Sequence, residues 1–248
     1  MTLRINMWSG PRNVSTATMY AFAQRQDTHA VDEPLYGHYL KTTDVQHPGD
    51  EEVMAHMDCD GERVVQQVIL GDYDKPIVFF KNMAHHLVDL DWSFLSQTKN
   101  ILLTREPEKV ILSLSKNIPN PILRDTGYEV QSKLIGEIIK MGQQPMVLES
   151  KQLLLNPPAV LEKLCQQIGI PFDDAMLSWP SGPKPEDGIW AKHWYHNAHQ
   201  STGFAPYQEK TVSLPDHLKS LLEECQPHYE KLLEYAIKAP SPAGRGLG

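Results

Sequence analysis

Two short stretches carry most of the chemical capacity of this chain. In Gly10-Pro11-Arg12-Asn13-Val14-Ser15-Thr16, a fixed cation and two hydroxyls follow a turn-forming Gly-Pro pair. Placed before a helix, such a run turns backbone N–H groups and the positive end of the helix dipole toward an anion, with Arg12, Ser15 and Thr16 as side-chain donors. That is phosphate-binding chemistry. Against the triphosphate pattern G-x-x-x-x-G-K-[ST] counted from Gly10, Ser15 stands where the second Gly belongs and Thr16 where the Lys belongs, which weakens a magnesium-dependent kinase reading. The second stretch runs from Arg105 through Pro107 to Ser113, eight residues beyond the Arg. Two helical turns bring the guanidinium and the hydroxyl toward one side, and the pair suits a monoester phosphate: bidentate Arg, directional Ser.

Together the two stretches resemble the donor-binding loops of the sulfotransferase family. In its pattern, Pro and a Lys or Arg precede small residues and paired hydroxyls, here Pro11, Arg12, Asn13, Val14, Ser15 and Thr16. A later strand-end Arg, a Pro and a Ser are here Arg105, Pro107 and Ser113. The family commonly has Ser and Gly where this chain has Asn13 and Val14, and a β-branched residue disfavours positive φ. The resemblance implies a P-loop NTPase-like α/β fold with a central, mainly parallel sheet. It also implies 3′-phosphoadenosine 5′-phosphosulfate as cosubstrate, with the first loop on the 5′-phosphosulfate and Arg105 and Ser113 on the 3′-phosphate. Ser201, Thr202 and Gly203 resemble the family's late loop near the nucleotide. A small-molecule acceptor would supply the attacking oxygen or nitrogen.

Sulfuryl transfer needs a base for the acceptor proton and cations for the transferring group and leaving phosphate. Arg12 is assigned to the leaving phosphate and bridging oxygen, and Lys81, after the apolar run Ile77 to Phe80, to the sulfuryl oxygens or the 5′-phosphate. Some family members use a Glu after the second strand as base, and others a His two residues after the strand-end Lys. The latter position is Met83 here, so Glu33 is the first choice and His85, beside His86, the runner-up. His193, His196 and His199 have no carboxylate at a recognised metal-ligand spacing, and no metal is expected. Trp190, Trp194, Phe204 and Tyr207 either stack on adenine, wall the acceptor site or anchor their loop. Two rival readings stay open: an ATP-dependent small-molecule or nucleotide kinase, and a noncatalytic nucleotide-binding protein.

These residues require strands that end where the motifs begin. Short apolar runs at 3–8, 29–31, 77–80, 101–104 and 146–148 alternate with helical periodicity over 13–25, 107–116, 128–141 and 158–168. The runs Ile77-Val78-Phe79-Phe80 and Ile101-Leu102-Leu103 are apolar without alternation, as suits parallel strands covered on both faces. Residues 178–207, rich in Pro, Gly, Trp and His, are predicted to be a long surface loop. Residues 214–237 form a terminal amphipathic helical region, and 239–248 a mobile tail after one domain spanning 1–238.

Composition sets the outer bounds. The chain has 248 residues, 41% of them hydrophobic, and a formal net charge of −8, which argues against broad binding to nucleic acid or an anionic membrane. Three widely spaced cysteines, Cys59, Cys165 and Cys225, suggest reduced thiols. With neither a secretory leader nor a run of roughly 18–20 apolar residues, the sequence predicts a soluble cytoplasmic protein. It specifies neither the acceptor nor the oligomeric state.

Overall fold

The computed structural model describes residues 2–209 and 213–238. Strands β1 (Leu3–Ser9), β2 (Thr28–Asp32), β3 (Ile77–Met83), β4 (Lys99–Thr104) and β5 (Met146–Glu149) form a parallel sheet of order β2-β3-β1-β4-β5. Each predicted strand is present, extended at one or both ends. The unalternating apolar runs are explained by burial on both faces. Ile5, Met7, Phe79, Ile101 and Leu103 point into one core with Met19 and Phe22 of α1 (Ser15–Ala23) and with the helix Pro157–Ile168. Trp8, Val78, Phe80 and Leu102 point into a second core, with the helices Tyr128–Lys140 and Lys219–Leu233. Phe22 stacks on Phe79 at 4.0 Å between centroids, tying α1 to the sheet. This is a three-layer, P-loop-like α/β fold.

The strand order decides where a ligand can sit. From β1 the chain crosses to β2 on one side, and from β3 it crosses back over β1 to β4. The crevice of an open parallel sheet lies at such a switch point, beyond the carboxyl ends of the strands. Both phosphate motifs start there: Ser9 pairs with Leu103, and Met83 lies opposite Ser9 on the other side.

Residues 178–207 are largely irregular and lie mostly at the surface, as expected, but the segment is docked: it buries Trp179, Trp190, Ala191 and Tyr195 and includes two single turns of helix, Ala191–Trp194 and His196–His199. The irregular sequence concealed this because its buried residues are spaced for docking onto the sheet rather than for a helix or strand of their own. Short helices also occur at 36–42, 50–56 and 150–155. Among the described residues, no helix is long and apolar enough to cross a membrane. The tail assigned to 239–248 lies outside the described residues.

Candidate functional site

The first loop turns at Arg12, whose φ of 58° is left-handed, whereas Val14 has φ −91° and accommodates its β-branched side chain without strain. A non-glycine residue in that region costs on the order of 1–3 kcal/mol, so the surroundings must hold it. They do so from two sides. Arg105 donates from Nη1 to the Arg12 carbonyl at 2.6 Å, and Arg12 Nε donates to Ser113 Oγ at 3.0 Å. The two motifs, distant in sequence, are thereby one cluster of two guanidinium groups and a hydroxyl at the exposed mouth of the crevice.

Beneath the loop, Asn13 acts as a bracket. Its Oδ1 accepts from Ser9 Oγ at 2.9 Å and from the Ser15 amide at 3.0 Å, and its Nδ2 donates to the Leu103 carbonyl at 3.2 Å. Gln131 Nε2 reaches the carbonyls of Trp8 and Leu103, joining the ends of β1 and β4. Gly10 is required because a Cβ there would stand 3.0 Å from the Thr126 carbonyl, with little room to shift. Truncating Asn13 to alanine should cost about 1–2 kcal/mol of stability, since it removes both a helix-start acceptor and a strand-end donor. Urea unfolding of Asn13→Ala measures this, and an unchanged midpoint would show that the bracket is not used.

Lys81 lies within β3, two residues before its end at Met83, and is 2% exposed. Its Nζ donates to Asp32 Oδ1 at 3.1 Å, to Glu33 Oε1 and to the Tyr195 hydroxyl. Asp32 also accepts from Tyr195 Oη at 2.8 Å and from the Gly188 amide at 3.1 Å. Glu33 has φ 39°, a second left-handed non-glycine residue, held by its amide donating to the Lys81 carbonyl at 2.8 Å. One ammonium thus serves two buried carboxylates. Burial pulls the Lys81 ammonium down, but Asp32 and Glu33 outweigh it and leave it above its ordinary value. Burial raises the Glu33 carboxyl more than Lys81 lowers it, with Asp32 adding to the rise.

His85 is half-buried near Gly127, a glycine that also neighbours Gly10 and Pro11 of the first loop. Burial, then His47 and Arg124, push its imidazole down to about 3. Its Nδ1, like that of fully buried His86, has no hydrogen-bond partner. Both rings pack on Tyr39, and His86 also stacks on Tyr36.

The late-loop residues make their hydrogen bonds elsewhere. Ser201 Oγ pairs with the Trp179 indole N–H at 3.0 Å, Thr202 accepts from the Trp179 amide, and Gly203 bridges to Ser178. Tyr207 is clamped between Lys109 and Lys151, which lie 4.9 and 5.2 Å from its ring centre. Trp190 packs edge-on against Tyr36, Trp194 against His47 and Phe204 against Trp179, so these aromatics anchor their segment to the body. The structure therefore brings Gly10, Pro11, Arg12, Asn13, Val14, Ser15, Thr16, Arg105 and Ser113 together, sets Glu33 with Lys81, and gives Ser201–Gly203 no hydrogen bond to either group. Asp32 and Tyr195 escaped sequence reasoning. Nothing local marks Asp32 as a counter-ion for Lys81, and nothing marks Tyr195 out from the other aromatics of its segment.

Comparison with known proteins identifies the family and the fold. A profile of the sulfotransferase domain matches residues 3–236. Two Arabidopsis thaliana proteins, branched-chain-amino-acid aminotransferase-like protein 2 and protein 1, are each 38% identical to this chain, over 229 and 238 residues. The matches cover 92% and 96% of this chain but 41% and 43% of those proteins, so the chain spans less than half the length of these curated relatives. A crystal structure of a sulfotransferase from Alicyclobacillus acidocaldarius shares the fold, with a TM-score of 0.53 and 12% identity over 94% of this chain and 95% of that one. With its matched profile running nearly end to end, the chain belongs to the sulfotransferase domain family.

Proposed function

We propose that this chain binds 3′-phosphoadenosine 5′-phosphosulfate and transfers its sulfuryl group to a hydroxyl or amine of a small acceptor. The observation that carries the reading is the Arg105–Arg12–Ser113 cluster, in which two motifs of the donor-binding type are joined by hydrogen bonds. The residues fit such a donor. Arg105 and Ser113 offer charge and a directional hydroxyl to a 3′-phosphate, while the loop amides, Ser15, Thr16 and Arg12 face a 5′-phosphosulfate. In the transfer, the acceptor atom bonds to sulfur as the bond from sulfur to the bridging oxygen breaks. The electron pair leaves on the 5′-phosphate, near Arg12, and the acceptor proton goes to a base.

Between the two candidate bases, Glu33 is favoured. Burial raises its proton affinity, the direction a general base at neutral pH needs, whereas His85 is driven down to about 3 and is a weak base. The transfer rate should accordingly rise with pH through a group lying above the ordinary 4.5 of a glutamate, because only the ionised carboxylate takes the proton. Transfer of radiolabelled sulfate from the donor to a panel of phenols, alcohols and amines tests the function, with Glu33→Gln and His85→Gln alongside. The expected result is label transfer that loses its acid limb only in Glu33→Gln. An acid limb near pH 3 that disappears in His85→Gln would move the base to His85. Phosphoryl transfer from magnesium-ATP to the same panel would replace the sulfotransferase reading with a kinase.

A further inference from the structure

The buried cluster at the ends of β2 and β3 is lopsided. Asp32 and Glu33 share Lys81, yet their other partners differ. Asp32 has the backbone amide of Gly188 and both of its oxygens within reach of the Tyr195 hydroxyl, at 2.9 and 2.8 Å. Glu33 accepts from Lys81, with only the same Tyr195 hydroxyl further lowering its proton affinity. The Tyr195 oxygen in turn accepts from Lys81 and, at 3.3 Å, from the Trp190 indole N–H. That one oxygen therefore links the ammonium to Asp32, and it is delivered by the segment after Trp179 rather than by the sheet.

We infer that Tyr195 is a positioning residue for Lys81, keeping Asp32 hydrogen-bonded on its own so that the ammonium can exchange Glu33 for the sulfuryl oxygens of an incoming donor. This rests on the proposed placement of the sulfuryl group near Lys81. Without the hydroxyl, Asp32 has only Gly188 besides Lys81, and a buried carboxylate left short of donors holds its remaining cation more tightly. Lys81 then stays locked between two carboxylates and is withheld from the anion. The same exchange leaves the Glu33 carboxylate without its cation at the moment it is to take a proton. Tyr195 thus acts through Lys81 and touches none of the reacting atoms.

The test compares two nucleotides that differ only in the sulfuryl group, 3′-phosphoadenosine 5′-phosphosulfate and 3′-phosphoadenosine 5′-phosphate, by calorimetry without acceptor. In Tyr195→Phe the sulfated nucleotide should weaken about tenfold, the scale of one charge-assisted hydrogen bond, while the unsulfated one stays within about twofold. Tyr36→Phe removes another buried hydroxyl from the same wall, one bonded to His47 at 2.7 Å, and should change neither affinity. Where circular dichroism shows Tyr195→Phe to be unfolded, Trp190→Phe takes its place. It removes the indole N–H that donates to the Tyr195 oxygen at 3.3 Å and should show the same selective loss, reduced in size. Equal losses for both nucleotides, or no loss in either, would overturn the inference while leaving the donor assignment standing. Failure of the wild-type protein to bind either nucleotide would instead remove the donor assignment, and the inference with it.

Discussion

Lys81→Met is expected to lower folding stability by about 3–5 kcal/mol at neutral pH, the scale for removing one partner of a buried ion pair. The replacement keeps the length and apolar bulk of the stem, so the deficit comes from charge rather than from a cavity. Asp32 and Glu33 would then lie buried with Tyr195 and Gly188 as their remaining donors. The sign of the pH dependence follows. Burial already raises the Glu33 carboxyl above its ordinary 4.5, and losing the ammonium raises it further. A carboxyl whose folded-state pKa exceeds its unfolded value favours the fold when protonated and opposes it when ionised. The deficit should therefore be smallest in acid and grow as pH rises above about 4.5 toward the raised folded-state value. Chemical denaturation at pH 4.5 and pH 7.5 measures it. A loss independent of pH would indicate a packing defect in place of an unpaired charge.

Arg105→Ala should weaken binding of 3′-phosphoadenosine 5′-phosphate by roughly 10–150-fold, corresponding to about 1.5–3 kcal/mol for hydrogen bonds to a charged group. Two effects act in the same direction. The 3′-phosphate loses a guanidinium, and the Arg12 carbonyl loses the donor that holds its left-handed turn. Arg105→Lys should recover little, because an ammonium keeps the charge without the forked geometry. Stability should fall by about 1 kcal/mol, since the strained turn at Arg12 loses one hydrogen bond from a half-buried partner. Titration calorimetry of the two variants beside the wild type reads out both expectations. Full recovery in Arg105→Lys would mean that charge alone matters at this position.

The fold was legible because a parallel sheet covered on both faces leaves unbroken apolar runs such as Ile77 to Phe80, each followed by a motif that starts a helix. The phosphate loops were legible because their chemistry is local: Arg12, Ser15 and Thr16 act from one turn and one helix start. What escaped is non-local. Asp32 becomes a buried counter-ion only because β2 lies beside β3 in the register that sets it opposite Lys81. Tyr195 reaches the same point from a segment whose spacing follows no period, and only the folded chain shows that Trp179, Trp190 and Tyr195 are buried docking points. Val14 illustrates the reverse case. The sequence departure there raised a question of backbone path that the loop resolves by placing its left-handed residue at Arg12, anchored by Arg105.

The most direct test of the donor site is a magnesium-free calorimetric titration of the wild-type protein with 3′-phosphoadenosine 5′-phosphate and, separately, with ADP, which has a 5′-diphosphate but no 3′-phosphate. The joined Arg105–Arg12–Ser113 cluster predicts that the 3′-phosphorylated nucleotide binds at least about tenfold more tightly. Equal affinities, or tight binding seen only with ATP and magnesium, would contradict it.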